Sequence, residues 1–283
     1  MTRIFLTGLL LLVLQLQAKH RHLDLQKAID LKLVKARAAS LGGYQGYCIN
    51  MAIRNISNDS LFIVVEAGRR LNSVNDNFQD ILIVKEELIV LRKSEEKKFT
   101  VKGYCCQASN HAPPMNAVYD INAMADSNLV KVAQYLSCNK FDQDMEQQAI
   151  WAVSDKKPTA GISQRNDETV LPLRKLVASI KGETLPWYTL TYQNFVYQSG
   201  RILNYPVLLK GKLVYSNPVD DYVTLYVYNE KGQQVCIVRS QWIKFGSGLE
   251  YDLEIPVKGL EKGKYTIALK TKQGELANRE FEI

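Results

Sequence analysis

The residues of this chain best suited to chemistry are five cysteines and the polar side chains near them. The cysteines are Cys48, Cys105, Cys106, Cys138 and Cys236. Two of them are adjacent in the stretch GYCCQASNHAPP at 103–114, which also holds His111. Because a histidine can take the proton of a thiol and leave a nucleophilic thiolate, Cys105 or Cys106 with His111 is a candidate pair for a thiol hydrolase.

The alternative role for these thiols is structural. In an oxidising compartment cysteines tend to pair, and five cannot all pair within one chain. The stretch at 103–114 is then a disulfide-bearing loop whose exit is stiffened by Pro113 and Pro114, and Cys236 is a candidate for the unpaired thiol. No metal site is predicted, because the chain has no CxxC pair to supply ligands. No cofactor is predicted either, because the phosphate-binding and dinucleotide-binding glycine motifs are missing.

The N-terminal segment indicates export. Residues 1–18 combine a basic Arg3, an apolar stretch from Ile4 to Leu14 and a small Ala18, which is the pattern of a secretory signal peptide. That apolar stretch is too short to span a membrane well, and no later segment is apolar enough. We therefore expect an exported protein, in the periplasm, on the cell surface or in the medium, with no transmembrane segment in the mature chain.

Composition excludes two classes of protein. A hydrophobic fraction of 46% excludes a wholly disordered chain, and the formal charge of +7 is spread among acidic residues rather than gathered in a basic run. A dispersed excess of this size favours solubility over nucleic-acid binding. The expected partner is a protein or a glycan surface, with no nucleic acid.

The patterning predicts two domains. In residues 23–184, a short helix at 24–32 precedes alternating segments that predict an antiparallel β layer of about five strands. Three helices are then predicted, at 126–138, 142–155 and 168–182, the first capped by Asp126 and the last ended by Gly182. This order of elements predicts an α+β head domain.

Residues 186–283 read as an all-β domain. Apolar and polar residues alternate there over short segments, and the turn NEKGQQ joins two of them. The pattern predicts an Ig-like β-sandwich of roughly seven strands.

The C-terminal domain carries one family resemblance. YSNPVDDYVTLYVYNEKGQQV followed by LEKGKYTIAL resembles the Ig-like modules at the C-termini of secreted Bacteroidetes proteins, including type IX sorting domains, and the Ig-like domains of flagellar hook-capping proteins. The matched residues are Asn217, Pro218, Gly232, Gly263 and Tyr265. In type IX sorting domains a further strand usually follows the Asn-Pro pair, so an ordinary Ig-like module fits better than a sorting signal.

The head domain carries a second resemblance. YCIN at 47–50, YCCQ at 104–107 and QQAIW at 147–151 resemble the motifs of bacterial thioester domains, which are adhesion modules of Gram-positive pili. In that family a cysteine thiol attacks a glutamine carboxamide, expels ammonia and leaves an internal thioester that acylates a partner. The resemblance implies Gln147 as the acyl donor and Cys48, Cys105 or Cys106 as the thiol.

These observations leave three functions open. The first is a secreted, non-enzymatic protein that binds a surface or envelope partner and uses its Ig-like module for display. The second is covalent adhesion through a Cys–Gln thioester. The third is the thiol hydrolase. Under a purely structural interpretation, Gln147 faces solvent on a helix, Trp151 is a core aromatic and Cys48 is a buried or disulfide-bonded strand residue.

Overall fold

The computed structural model describes residues 22–163 and 167–283. Nine strands lie in the first part of the chain, namely β1 (His22–Asp24), β2 (Val34–Ser40), β3 (Gln45–Asn55), β4 (Leu61–Val65), β5 (Arg69–Ser73), β6 (Ile81–Ile83), β7 (Glu87–Leu91), β8 (Glu96–Cys105) and β9 (Val118–Met124). The α-helices of the described residues are α1 (Leu25–Asp30), α2 (Ser127–Cys138), α3 (Gln143–Ser154) and α4 (Asp167–Lys181), with a 3-10 turn at Thr159–Gly161.

Seven strands follow α4. They are β10 (Tyr188–Val196), β11 (Ile202–Asn217), β12 (Asp221–Asn229), β13 (Gln234–Ile243), β14 (Gly246–Pro256), β15 (Lys264–Thr271) and β16 (Gly274–Glu282).

The core of the head is a closed barrel. Six strands pair in the order β2-β3-β8-β6-β5-β9, and the ring closes where β9 pairs with β2 through Ala38 and Tyr119. A three-stranded sheet of order β1-β4-β7 accompanies the barrel, and its residues share one apolar core with the barrel interior and α1. In β4 buried residues alternate with partly buried ones, as expected for a strand with one face on a core, whereas most of β3 is buried because both of its faces are covered.

Helices α2, α3 and α4 form a layer with its own apolar core against the barrel. The predicted start of α2 is confirmed, since the Asp126 carboxylate accepts hydrogen bonds from the backbone N–H groups of Asn128 and Leu129. This cap satisfies two of the donors that a helix N-terminus leaves free. Helix α4 ends before Gly182, which has a positive φ of 66°.

The C-terminal strands form two sheets, of orders β10-β11-β14 and β13-β12-β15-β16, around a third apolar core. The end of β10 and the start of β11 leave this core and reach the head. In this segment, the β10–β11 arm (residues 194–204), Ile202 packs in the barrel core with Cys105 and Trp151. The backbone N–H of Ala112 donates to the carbonyl of Gly200 at 2.8 Å. The arm therefore joins the two parts of the molecule.

The predicted fold class, an α+β head followed by an Ig-like sandwich, is wrong. Strands make up 51% and helices 18% of the residues that the structure describes, and the expected open β layer is a closed six-stranded barrel with an additional sheet. The sequence patterns predict no element between Pro114 and the helix at 126–138, so β9 was missed, and without β9 the layer has no strand to close it. Residues 80–92 contribute to two different sheets, through β6 in the barrel and β7 in the three-stranded sheet.

Two expectations about compartment have different outcomes. The predicted signal peptide at 1–18 lies outside the described residues. Within residues 22–163 and 167–283, no helix is long and apolar enough to cross a membrane.

Candidate functional site

The two adjacent cysteines lie on opposite sides of the barrel wall, at the end of strand β8. Cys105 is the last residue of that strand and Cys106 follows it. Cys105 belongs to the barrel core, whereas Tyr104 and Cys106 belong to the core beneath the helices. A side chain at Gly103 would bring its Cβ within 2.4 Å of Ile81 Cγ2, so glycine is needed for β6 and β8 to pair this closely. Because successive side chains of a strand point to opposite faces of the sheet, the Cys105 and Cys106 thiols lie in different cores.

Helix α3 brings Gln147 to Cys105. This helix is buried on almost every face, since it contacts α2, α4 and strand β8. The Gln147 side chain is fully buried, which contradicts the structural interpretation that placed it in solvent. One turn later, Trp151 lies in the same core as Cys105.

Three short contacts join Gln147 to Cys105. The carboxamide nitrogen of Gln147 donates to the Cys105 carbonyl at 2.9 Å, and its Oε1 accepts from the Cys105 backbone N–H at 3.2 Å. The Cys105 thiol Sγ lies 3.4 Å from the same Oε1. Two hydrogen bonds to the Cys105 backbone therefore fix the plane of the Gln147 carboxamide, and Cys105 Sγ lies next to the carbonyl group of that carboxamide.

The electrostatic surroundings keep the Cys105 thiol protonated. Burial raises its pKa well above the usual value, the nearby Cys106 and Asp155 add to the rise, and the Trp151 indole opposes it. A free thiolate is therefore disfavoured, and any reaction of this sulfur must pass its proton to the leaving group.

Trp151 is more than a core aromatic. Its ring is stacked on Tyr44 at a centroid distance of 6.1 Å, and the Lys157 ammonium lies 4.2 Å from the centroid of the Trp151 ring. Among the described residues, the buried indole Nε1 has no hydrogen-bond acceptor. Lys157 belongs to none of the sequence motifs, and its position six residues after Trp151, just beyond the helix, is the one signal that points to it.

The other candidate thiols have different surroundings. Cys48 lies in β3, its Sγ donates to the Gly103 carbonyl at 3.6 Å, and burial raises its pKa to about 12. Burial also raises the pKa of Cys106 to about 12, which nearby Arg70 opposes. Of the three predicted thiols, the described contacts join only Cys105 to Gln147.

His111 is held by backbone contacts on the far side of the loop. It forms isolated bridges with Phe78 and Arg201, and its backbone N–H donates to the Asn77 carbonyl. In the part of the chain that the structure describes, no hydrogen bond links His111 to Cys105 or Cys106. The geometry thus offers no thiol–imidazole pair.

All five cysteines, which lie within the described residues, are free thiols. The disulfide-bearing loop expected at 103–114 is therefore not seen, and Cys105 and Cys106 contact different cores instead of sulfur partners. Across residues 22–163 and 167–283, no three His, Cys, Asp or Glu side chains are grouped as a metal site. A cleft of about 600 Å³ opens beside α4 and β10, and neither Cys105 nor Gln147 lines it.

Comparison with known proteins gives no family. No family model matches the chain, and no curated protein matches it. Among solved structures, it is similar to a beta-glucosidase from Kluyveromyces marxianus, with 10% sequence identity and a TM-score of 0.21 over 83% of this chain and 44% of that one. The chain thus spans less than half of that structure, and a TM-score this low supports no statement on fold or activity.

Proposed function

We propose that this protein attaches covalently to a partner through an internal thioester between Cys105 and Gln147. The observation that carries the proposal is the set of three contacts between Gln147 and Cys105, which we call the clamp. Two hydrogen bonds to the Cys105 backbone hold the Gln147 carboxamide, and Cys105 Sγ lies 3.4 Å from Gln147 Oε1. The bacterial thioester domains that the sequence resembles use the same two residue types. The proposal includes export, as residues 1–18 predict.

Formation of the thioester requires no cofactor. Cys105 Sγ attacks Gln147 Cδ, the C–N bond to Nε2 breaks, and the thiol proton leaves with the nitrogen as ammonia. The Cys105 backbone N–H is shared between the Tyr44 carbonyl at 3.0 Å and Gln147 Oε1 at 3.2 Å, and it would stabilise the negative charge that develops on Oε1. Holding the two groups together supplies much of the barrier reduction, because a reaction between fixed neighbours needs no encounter step.

Burial then determines what the thioester can do. Water reaches a fully buried acyl group poorly, so the bond is protected until a nucleophile enters the core. An amine or hydroxyl of a partner would attack Gln147 Cδ, form an amide or ester there and release the Cys105 thiol. Each molecule reacts once, so the protein is a covalent adhesin and not a turnover enzyme.

The test is the intact mass and thiol content of the purified protein. We expect one fewer titratable thiol than the five cysteines under denaturing conditions, and a mass gain of one methylamine after treatment with that amine. Gln147→Ala should titrate all five thiols and Cys105→Ala all four of its remaining ones, and neither should gain methylamine, whereas Cys48→Ala and Cys106→Ala should still gain it. Five titratable thiols in protein that does not react with methylamine would refute the proposal.

A second candidate function, non-covalent surface binding, is favoured by exposed rings on the C-terminal sheet. Tyr222 and Trp242 face each other across β12 and β13 with centroids 5.2 Å apart, and Phe245 nearby is 72% exposed. Exposed aromatic clusters are typical of protein and glycan binding sites. Trp242→Ala should abolish binding on a glycan or protein array while Phe195→Ala, at an exposed ring elsewhere, retains it. Unchanged binding by Trp242→Ala would exclude this surface.

A further inference from the structure

A second amide lies against a potential nucleophile, at the junction of the helical layer and the arm. The Lys157 ammonium nitrogen Nζ is 2.6 Å from Asn204 Oδ1. Lys157 follows α3, and Asn204 lies near the start of β11, so the contact joins the head to the C-terminal sheets. Both side chains are half-buried.

Each partner is held in place by further contacts. The Asn204 carboxamide nitrogen donates to Asn194 Oδ1 at 2.7 Å, across a registered pair of β10 and β11, so its oxygen is left facing Lys157. The Lys157 backbone N–H donates to the Trp151 carbonyl, and the Lys157 carbonyl accepts from Lys181 Nζ at 2.7 Å. The Trp151 ring covers the Lys157 side chain.

The amine is also easier to deprotonate than an ordinary lysine. Burial lowers the pKa of Lys157 to about 8, nearby Asp155 and Cys105 oppose the shift, and Lys262 adds to it. A sizeable share of the side chain is therefore a neutral amine near pH 8, and a neutral amine is the nucleophilic form.

We propose that Lys157 and Asn204 join in an intramolecular isopeptide bond. Because a C=O bond is about 1.2 Å long, Nζ lies no farther than about 3.8 Å from Asn204 Cγ, close to the separation at which bound groups react. Nζ attacks Cγ, the Cγ–Nδ2 bond breaks, and one Nζ proton leaves with Nδ2 as ammonia. Atoms and electrons balance without an oxidant or a cofactor.

This bond is independent of the thioester. It uses a different amide, a different nucleophile and a different pair of elements, and an amide product resists the amines that open a thioester. Its structural effect is to fasten the arm covalently to the segment after α3.

Peptide mapping of the purified full-length chain tests the proposal. Trypsin should release residues 157–165 and 202–210 as one joined species lighter than their sum by one ammonia, with both linear peptides lost. Lys157→Arg keeps the cation but has no nucleophilic amine, so that variant and Asn204→Ala should yield separate peptides. Lys156→Arg, at the exposed neighbouring position, should still yield the joined species.

Treatment with methylamine before digestion separates the two proposals. The joined species survives that treatment, whereas a thioester at Cys105 does not. Recovery of peptides 157–165 and 202–210 separately and at their unmodified masses from the unsubstituted protein would overturn the isopeptide bond, whatever happens at Cys105.

Discussion

Replacing Cys105 by alanine should destabilise the protein far more than the same change at Cys106. Both sulfurs are buried, so each substitution removes similar apolar contacts, at a cost of about 1 kcal/mol. Only Cys105→Ala also removes the proposed cross-link to Gln147. That link closes a loop of about 40 residues, and the loop-entropy relation gives about 4 kcal/mol for the constraint it places on the unfolded chain.

The difference is measurable by thermal and denaturant unfolding. For a chain of this size each kcal/mol shifts the melting temperature by about 2–4 °C, so Cys105→Ala should melt roughly 8–16 °C below Cys106→Ala. Methylamine should lower the melting temperature of the unsubstituted protein and of Cys106→Ala but leave Cys105→Ala unchanged. Stabilities of the two variants that agree within about 1 kcal/mol would refute the cross-link and the reasoning from the clamp.

Three further predictions follow from the described contacts. Exposed Cys138 should be alkylated by iodoacetamide first and the buried Cys48 and Cys106 last, because burial raises the pKa of both buried thiols to about 12 and leaves little thiolate at pH 8; labelling order by mass spectrometry checks this, and early labelling of Cys48 or Cys106 contradicts it. Glu146→Gln should lower the free energy of unfolding by about 3 kcal/mol, because it strands the Lys102 ammonium in a largely buried ion pair; a loss below about 1 kcal/mol in urea unfolding contradicts it. In protein refolded from inclusion bodies, formation of the Lys157–Asn204 bond, followed as ammonia loss from Asn204, should slow about tenfold per pH unit below the Lys157 pKa of about 8 and level off above it; a rate independent of pH contradicts the role of a neutral amine.

Local elements were predictable from the sequence. Helix α2 forms where Asp126 can cap it, and its buried residues, Leu129, Val132, Ala133 and Leu136, follow the spacing of one helix face in the sequence. The turn at Gly232 also lies between two strands as predicted, with a positive φ of 72°. These features depend on residues close together in the chain, so their patterns carry the information.

Barrel closure was not predictable in the same way. It depends on β2 pairing with β9, which lies more than 70 residues farther along by a rough count, and nothing local in either strand specifies that partner. The burial of helix α3 also depends on tertiary packing. Its sequence predicts one buried stripe, whereas packing from the barrel and two helices also buries Glu146 and Gln148.

The candidate site was partly predictable. The motifs selected Gln147 and three possible thiols, but the choice of Cys105 depends on how β8 lies against α3, which is a tertiary relation. Lys157 and Asn204 carry no sequence signal, because their proximity arises from the arm reaching the head.

The proposed Lys157–Asn204 bond would also change how the molecule carries mechanical load. A partner bound at Gln147 would pull on α3, and tension from there to the C-terminal sheets would pass along the backbone through α4 into β10. With Lys157 bonded to Asn204, the tension would leave the backbone just after α3 and run along covalent bonds into β11, so that α4 would carry little of it.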